Sequence, residues 1–229
     1  MQPGEVIPIF PTTITISNID RSFTEHEMSY MLSYKDKERD NGSNTKDIYI
    51  LEQDMLANIK KLCEQALQDY LIQVYNPINP DDISLKITQS WLNYTETNQY
   101  HHKHAHPNSI ISGVFYIQAV KDIDKIYFFN ENYKQIRIYP KEYNVYNSES
   151  WWLPATTGTL YLFPSHLTHM VEQTESKDTR ISLSFNTFLK GYIGAEESLT
   201  SLHTGEPVNT KQWHKTEVDK PKDGPGGSV

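Results

Sequence analysis

A single cysteine, Cys63, stands among 229 residues. That scarcity excludes an intramolecular disulfide framework and fits a reducing cytoplasm. Apolar runs are short. None nears the roughly 18 residues that span a bilayer, and Met1 to Phe10 lacks the basic-then-apolar order of a signal peptide. Positive charge is also thin, with 21 Lys and Arg against 29 Asp and Glu and a formal charge of −8. Phosphate backbones and anionic headgroups select basic faces, so neither nucleic acid nor a membrane is expected as a partner. The absence of any repeat of roughly 20–50 residues argues against a propeller or solenoid. Aromatic residues are plentiful, with 15 Tyr, 8 Phe and 4 Trp, which is the bias of strands. The length suits one domain with a substantial core.

Residues 5–17 mix β-branched residues with prolines and read as an extended, edge-like opening. Residues 20–46 are polar enough for a flexible loop, and the run at 36–47 is expected to be solvated. The period then changes. Leu51, Met55, Ile59, Leu62, Ala66, Tyr70 and Val74 lie three or four apart and predict one covering helix over 51–75. Asn76-Pro77 stops it. Strands are predicted near 84–95, 109–119, 125–129, 136–139, 158–163, 169–173 and 179–189, separated by Asn, Asp, Pro and Gly. Many short strands and one helix, without βαβ alternation, make the chain mainly β, a sandwich or jelly roll over residues 1–190. Residues 191–229 read as a polar C-terminal tail. Cys63 falls on the helix and is expected in the core. Trp151-Trp152 is read either as a lid over a site or as packing.

On the last strand, alternation puts Ile181, Leu183 and Phe185 on one face and Arg180, Ser182, Ser184 and Asn186 on the other. The apolar face needs a cover, which the helix supplies. The polar face either meets solvent or lines the mouth of a barrel, and the strand pattern leaves both open.

Six of the nine histidines fall in two windows: His101, His102, His104 and His106, then His166 and His169. An HxH step on an extended segment aims both imidazoles to one side, so His104-Ala-His106 can grip one ion, and His102-Lys-His104 could do the same. A third ligand from a later strand would complete a site. His169 suits that place better than His166, which sits in a turn after Phe163-Pro164-Ser165. Three protein ligands on one face of Fe(II) leave three positions, enough for a bidentate 2-oxo acid and O₂. The acid's far carboxylate calls for a fixed cation, which Arg180 offers as a planar fork, with Ser182 adding a hydrogen bond.

These residues resemble the Fe(II)/2-oxoglutarate-dependent oxygenase superfamily, and more narrowly its bacterial and bacteriophage members with an HxH motif. The resemblance rests on Ile9-Phe10-Pro11-Thr12, Trp91-Leu-Asn93 and His104-Ala-His106-Pro-Asn-Ser with Ser112-Gly-Val-Phe-Tyr116. It continues through Leu162-Phe-Pro-Ser165, His169 and Val171, then Arg180-Ile-Ser-Leu-Ser-Phe-Asn186. It implies a double-stranded β-helix with the site at its open end. It implies His104, His106 and His169 as the catalytic metal ligands, and Arg180, Ser182 and Tyr116 on the 2-oxoglutarate carboxylate. The implied cofactors are Fe(II), the cosubstrate 2-oxoglutarate and O₂, with ascorbate as a stimulant. The activity implied is that of a dioxygenase, specifically a hydroxylase, acting on an unidentified small-molecule or peptidyl substrate. One departure stands out. Most of the superfamily carries a carboxylate two residues after the first histidine, and here that position is His106, which leaves the site one charge more positive. Two other readings compete: a three-histidine cupin-type dioxygenase that uses no 2-oxo acid, and a non-catalytic jelly-roll binding module. The sequence is silent on oligomeric state.

Overall fold

The structure, a computed structural model, describes residues 4–35, 37, 39–40, 44–131, 136 and 138–205. In chain order the strands and helices are β1 (Thr15–Asn18), α1 (Glu25–Leu32), β2 (Arg39–Asp40), β3 (Asn44–Thr45), α2 (Ala57–Tyr70), β4 (Ile83–Thr95), β5 (His101–His104), β6 (Ile111–Gln118), β7 (Lys125–Phe129), β8 (Ser150–Pro154), β9 (Thr159–Pro164), β10 (His169–Val171), β11 (Arg180–Ile193) and β12 (Leu202–Thr204). The larger sheet runs β1-β9-β6-β11-β4-β3-β2 and the smaller β5-β10-β7-β8, both with antiparallel strand pairing.

Strand parity decides where the core sits. Odd positions of β11 (Ile181, Leu183, Phe185) and of β6 (Ile111, Phe115, Ile117) join Leu160 and Leu162 of β9 in a cluster with Ile59, Cys63, Leu67 and Tyr70 of α2. The helix therefore covers the apolar face that the strand pattern left open. The alternate positions, even on β6 and odd on β9, face the smaller sheet, where Val114, Tyr116, Tyr161 and Phe163 meet Ile126 and Phe128 of β7. Because both faces of the larger sheet are covered, β6 is buried almost throughout. Gly113 in β6 is required by packing. It pairs with Phe185, and a Cβ there would stand 2.1 Å from the Phe185 ring.

The covering helix departs from its sequence expectation. Two 3₁₀ turns, Ile50–Glu52 and Asp54–Leu56, precede α2, and Gln53 between them is extended (ψ 132°). A π turn over Leu71–Tyr75 ends it at left-handed Asn76, just before Pro77. Turns of three residues reset the helical phase, so the buried stripe is Leu51, Leu56, Ile59, Cys63, Leu67, Tyr70 and Leu71, while Met55, Leu62 and Val74 are exposed. Cys63 is fully buried, and desolvation raises its thiol pKa far above the ordinary value.

Residues 20–46 contain a helix instead of only a loop. Thr24 caps α1 by accepting from the Glu27 amide, while the Glu27 carboxylate accepts from Thr24 N (2.8 Å) and from Arg21 at 2.7 Å. Part of the 36–47 run lies outside the described residues. So does Arg137 of the strand expected over 136–139; its described positions Ile136, Ile138 and Tyr139 are exposed and form no strand. Strands β2, β3, β5, β8 and β12 were not among those expected, and the longest of them is β8. It carries Trp151 and Trp152 at the rim of the smaller sheet, where both stay partly exposed and Trp152 takes Lys125 Nζ over its ring.

The chain divides into two compact units, 1–189 and 190–229. In the second, Gly191–Ile193 pair with Leu202–Thr204 as a short ladder, so the polar tail expected from Pro-, Gly- and Lys-rich composition begins with sheet. The rest of that expected tail, 206–229, lies outside the described residues.

Candidate metal centre

Antiparallel register brings the histidines together. β10 pairs with β5 so that His169 lies opposite His104. Two residues past His104 the chain leaves the strand, and the His106 amide donates to the Ser165 carbonyl at 2.9 Å. The result is three rings on one side of the cleft. Ring centroids are 4.4 Å apart for His104–His169, 4.9 Å for His104–His106 and 5.1 Å for His106–His169. One ligand nitrogen from each ring falls within 4.8 Å of the others.

The rings also present the right chemistry. His104 Nδ1 donates to the His102 carbonyl (2.7 Å) and His169 Nδ1 to the Leu167 carbonyl (3.0 Å), which leaves the Nε2 lone pair of each neutral ring available. His169 Nε2 lies 3.3 Å from His106 Nε2. Burial lowers the pKa of His106 to about 4 and of His169 to about 3, and lowers that of His104 as well, so all three rings are neutral at pH 7. A neutral, converging set of three nitrogens, two of them on tautomer-fixed rings, fits a divalent transition metal such as Fe(II). His102 is exposed and His166 sits exposed in the turn, outside the set. Trp151 and His166 line a different, apolar cleft with Phe10, Phe129 and Tyr146, so the lid reading of Trp151-Trp152 fails.

Behind His106 a chain of hydroxyls ties β6 and β11 to the segments just before β6 and just after β9. Ser165 Oγ donates to Ser109 Oγ (2.7 Å) and lies 2.8 Å from Ser112 Oγ, and Ser112 Oγ reaches Asn186 Oδ1 at 3.0 Å. These serines fix the loop that carries His106.

Across the cleft stand the even positions of β11 and the odd positions of β4: Arg180, Ser182 and Ser184 with Trp91, Asn93 and Thr95. Arg180 is 3 % exposed and does not wait alone for a ligand. Its Nη1 donates to Asp124 Oδ1 at 2.9 Å and to the Glu172 carbonyl at 3.3 Å, whereas Nη2 is buried without a partner among the described residues. The Tyr116 hydroxyl is likewise buried and unpartnered; desolvation raises its pKa while the nearby Arg180 charge opposes the rise. Tyr116 lies opposite Ser182 in the β6–β11 register. Orphaned donors on Arg180 and Tyr116 fit a carboxylate, since burying them unpaired is costly. The Ser182 and Ser184 hydroxyls accept from Asn93 Nδ2 at 3.4 and 2.9 Å.

Two residues of the cleft, and one buried behind it, escaped sequence reasoning. Asn93 belonged to a recognised motif but carried no assigned role. His101 lies inside the cleft, its pKa lowered to about 4 by burial and by the neighbouring histidines. Asp124 gave no signal beyond being one of several acids in the loops; only the need of a buried arginine for a counter-ion could have raised it.

Residues 89–186 match a family described as "Putative 2OG-Fe(II) oxygenase". A comparison with curated protein sequences finds no match. Among solved structures, the chain is similar to a 2OG-Fe(II) oxygenase-family oxidoreductase from Burkholderia pseudomallei (TM-score 0.51, 11% identity, covering 76% of this chain and 83% of that one). It is also similar to the non-heme alpha ketoglutarate dependent carbocyclase SnoK of nogalamycin biosynthesis (TM-score 0.52, 9% identity, 93% and 90% covered). The epimerase SnoN from the same biosynthesis gives a TM-score of 0.52 at 8% identity, with 79% of each chain covered. At such identities the likeness is one of fold, a mainly β double-stranded β-helix. Over the segment that carries the histidines and Arg180, this chain therefore resembles the 2OG-Fe(II) oxygenases in sequence, and over most of its length it shares their fold.

Proposed function

We propose that the protein is an Fe(II)- and 2-oxoglutarate-dependent dioxygenase that hydroxylates an unidentified second substrate. The observation that carries this reading is the pairing of three convergent neutral imidazoles with a buried guanidinium edge, Arg180 Nη2, on the opposite wall of one cleft. In the net reaction, 2-oxoglutarate, O₂ and a C–H bond become succinate, CO₂ and a C–OH group, so the 2-oxo acid supplies the two electrons that the substrate does not. Fe(II) on His104, His106 and His169 would supply the redox chemistry with O₂.

The chain's own residues then have defined tasks. The carbonyls of His102 and Leu167 hold the tautomers of His104 and His169. Arg180 would donate to the far carboxylate, with Ser182 beside it on the cleft wall and the buried Tyr116 hydroxyl behind, opposite Ser182 in the β6–β11 register. Phe163 and Trp91 pack against the histidine rings, with centroids 4.7 Å from His169 and 6.1 Å from His106, and keep bulk water from the nitrogens. The test is succinate formation from 2-oxoglutarate with Fe(II), ascorbate and O₂, across small-molecule and peptide candidates. Iron binding without any 2-oxoglutarate affinity would move the assignment to the three-histidine cupin-type dioxygenase, which the neutral third ligand His106 also suits. Binding of neither would leave a jelly-roll binding module.

A further inference from the structure

With His106 in place of a carboxylate, no acidic side chain lines the cleft among the described residues, yet one stands behind Arg180. Asp124 lies in the turn before β7, with its side chain 1% exposed and its Oδ1 on Arg180 Nη1. Its second oxygen accepts from the Val120 amide at 2.9 Å, and its own amide and carbonyl are tied to Val120 O and Ala155 N at 2.8 Å each. The carboxylate is therefore rigid. It meets the guanidinium at Nη1 and leaves Nη2 without a partner among the described residues, in a side chain that lines the cleft.

We infer that Asp124 is the charge-balancing and positioning residue of this site: it supplies, behind Arg180, the negative charge that the histidine set lacks at the metal. The inference rests on the proposed function. A divalent ion on three neutral rings and Arg180 together bring three positive charges. A 2-oxo dicarboxylate answers two, and Asp124 answers the third. Without Asp124, Arg180 would be an uncompensated cation at 3% exposure, which is costly when the cleft is empty and holds dicarboxylates too firmly when it is full. Asp124 therefore keeps the empty site folded and lets a dicarboxylate product leave.

The test uses the full-length chain. Calorimetry with glutarate as the probe on EDTA-treated protein reads the anchor alone, and 2-oxoglutarate with Mn(II) reads the complete site. D124N, which keeps the shape and an acceptor for Nη1, should bind glutarate about fivefold tighter or more, because one nearby like charge is removed. R180Q should lose that binding. Unchanged or weaker binding in D124N, with wild type binding normally, would overturn the inference and leave the function standing. Failure of wild type to bind either dicarboxylate would overturn the function itself. Should D124N alone not fold, melting temperatures decide. R180Q/D124N should melt above R180Q, since removing both partners leaves no lone buried charge. A double variant that melts at or below R180Q would sink the inference.

Discussion

On β11, Ile181, Leu183 and Phe185 meet the helices, while Arg180, Ser182 and Ser184, one residue out of step, meet the histidines across a cleft. The same backbone serves both faces, and so do β4, with Leu92 and Tyr94 against Trp91, Asn93 and Thr95, and β6. One face is apolar, densely packed and indifferent to what the protein binds. The other leaves buried donors on Arg180 and Tyr116 unpaired. Stability and chemistry are thus separated by strand parity, so substitutions at neighbouring positions should affect different measurements.

His169→Ala should have the largest effect. Loss of one ligand of three should cut metal affinity roughly a hundredfold or more, measured by competition with a chelator, with circular dichroism unchanged. His166→Ala, in the adjoining turn, should alter neither. On the other face, Leu183→Ala should cost about 2–5 kcal/mol in denaturant unfolding, whereas its neighbour Ser184→Ala should cost about 1 kcal/mol. Equal losses would mean that the two faces are not separable. Arg180→Lys keeps the charge but loses the fork, and should weaken 2-oxoglutarate binding about tenfold by calorimetry, with metal affinity unchanged.

The smallest effect concerns the α1 cap, remote from both faces of the cleft. Thr24→Ala should lower stability by about 1 kcal/mol. The Glu27 carboxyl is held below the usual range chiefly by its hydrogen bond to Arg21. A depressed folded pKa means that its contribution is present above the unfolded value near 4.3 and is lost as pH falls through the folded one. Denaturation midpoints of Glu27→Gln and wild type should therefore converge on acidification below about pH 4 and differ at neutral pH.

Much of this arrangement was readable in advance, because strand parity is a local property. The alternation in 180–186 separated core from cleft residues correctly, and HxH spacing with a later histidine located the three rings that the structure brings together. What escaped was set by phase and by long-range partners. The 3₁₀ turns ahead of α2 reset the phase before Ile59, and within α2 steps of three or four residues fit Leu62 and Cys63 alike, so the pattern alone did not pick the buried Cys63. The capping box at Thr24 and Glu27 was legible, but the polar residues after it hid an eight-residue helix. Asp124 meets Arg180 across 56 residues of sequence, and nothing local distinguishes it from the other loop acids.

β5, the strand that ends at His104, has β10 as its one neighbour in the smaller sheet, whereas His169 sits on β10, held between β5 and β7. A strand at a margin opens at lower cost than one ladder-bound on both sides. Amide hydrogen exchange should therefore be faster at Lys103 and His104 than at His169 and Met170. An ion bridging the two strands would narrow that gap. Entry to the metal centre is in this sense a hinge problem: His104 rides on the edge that yields, and His169, with the anchored His106, is the post against which it closes.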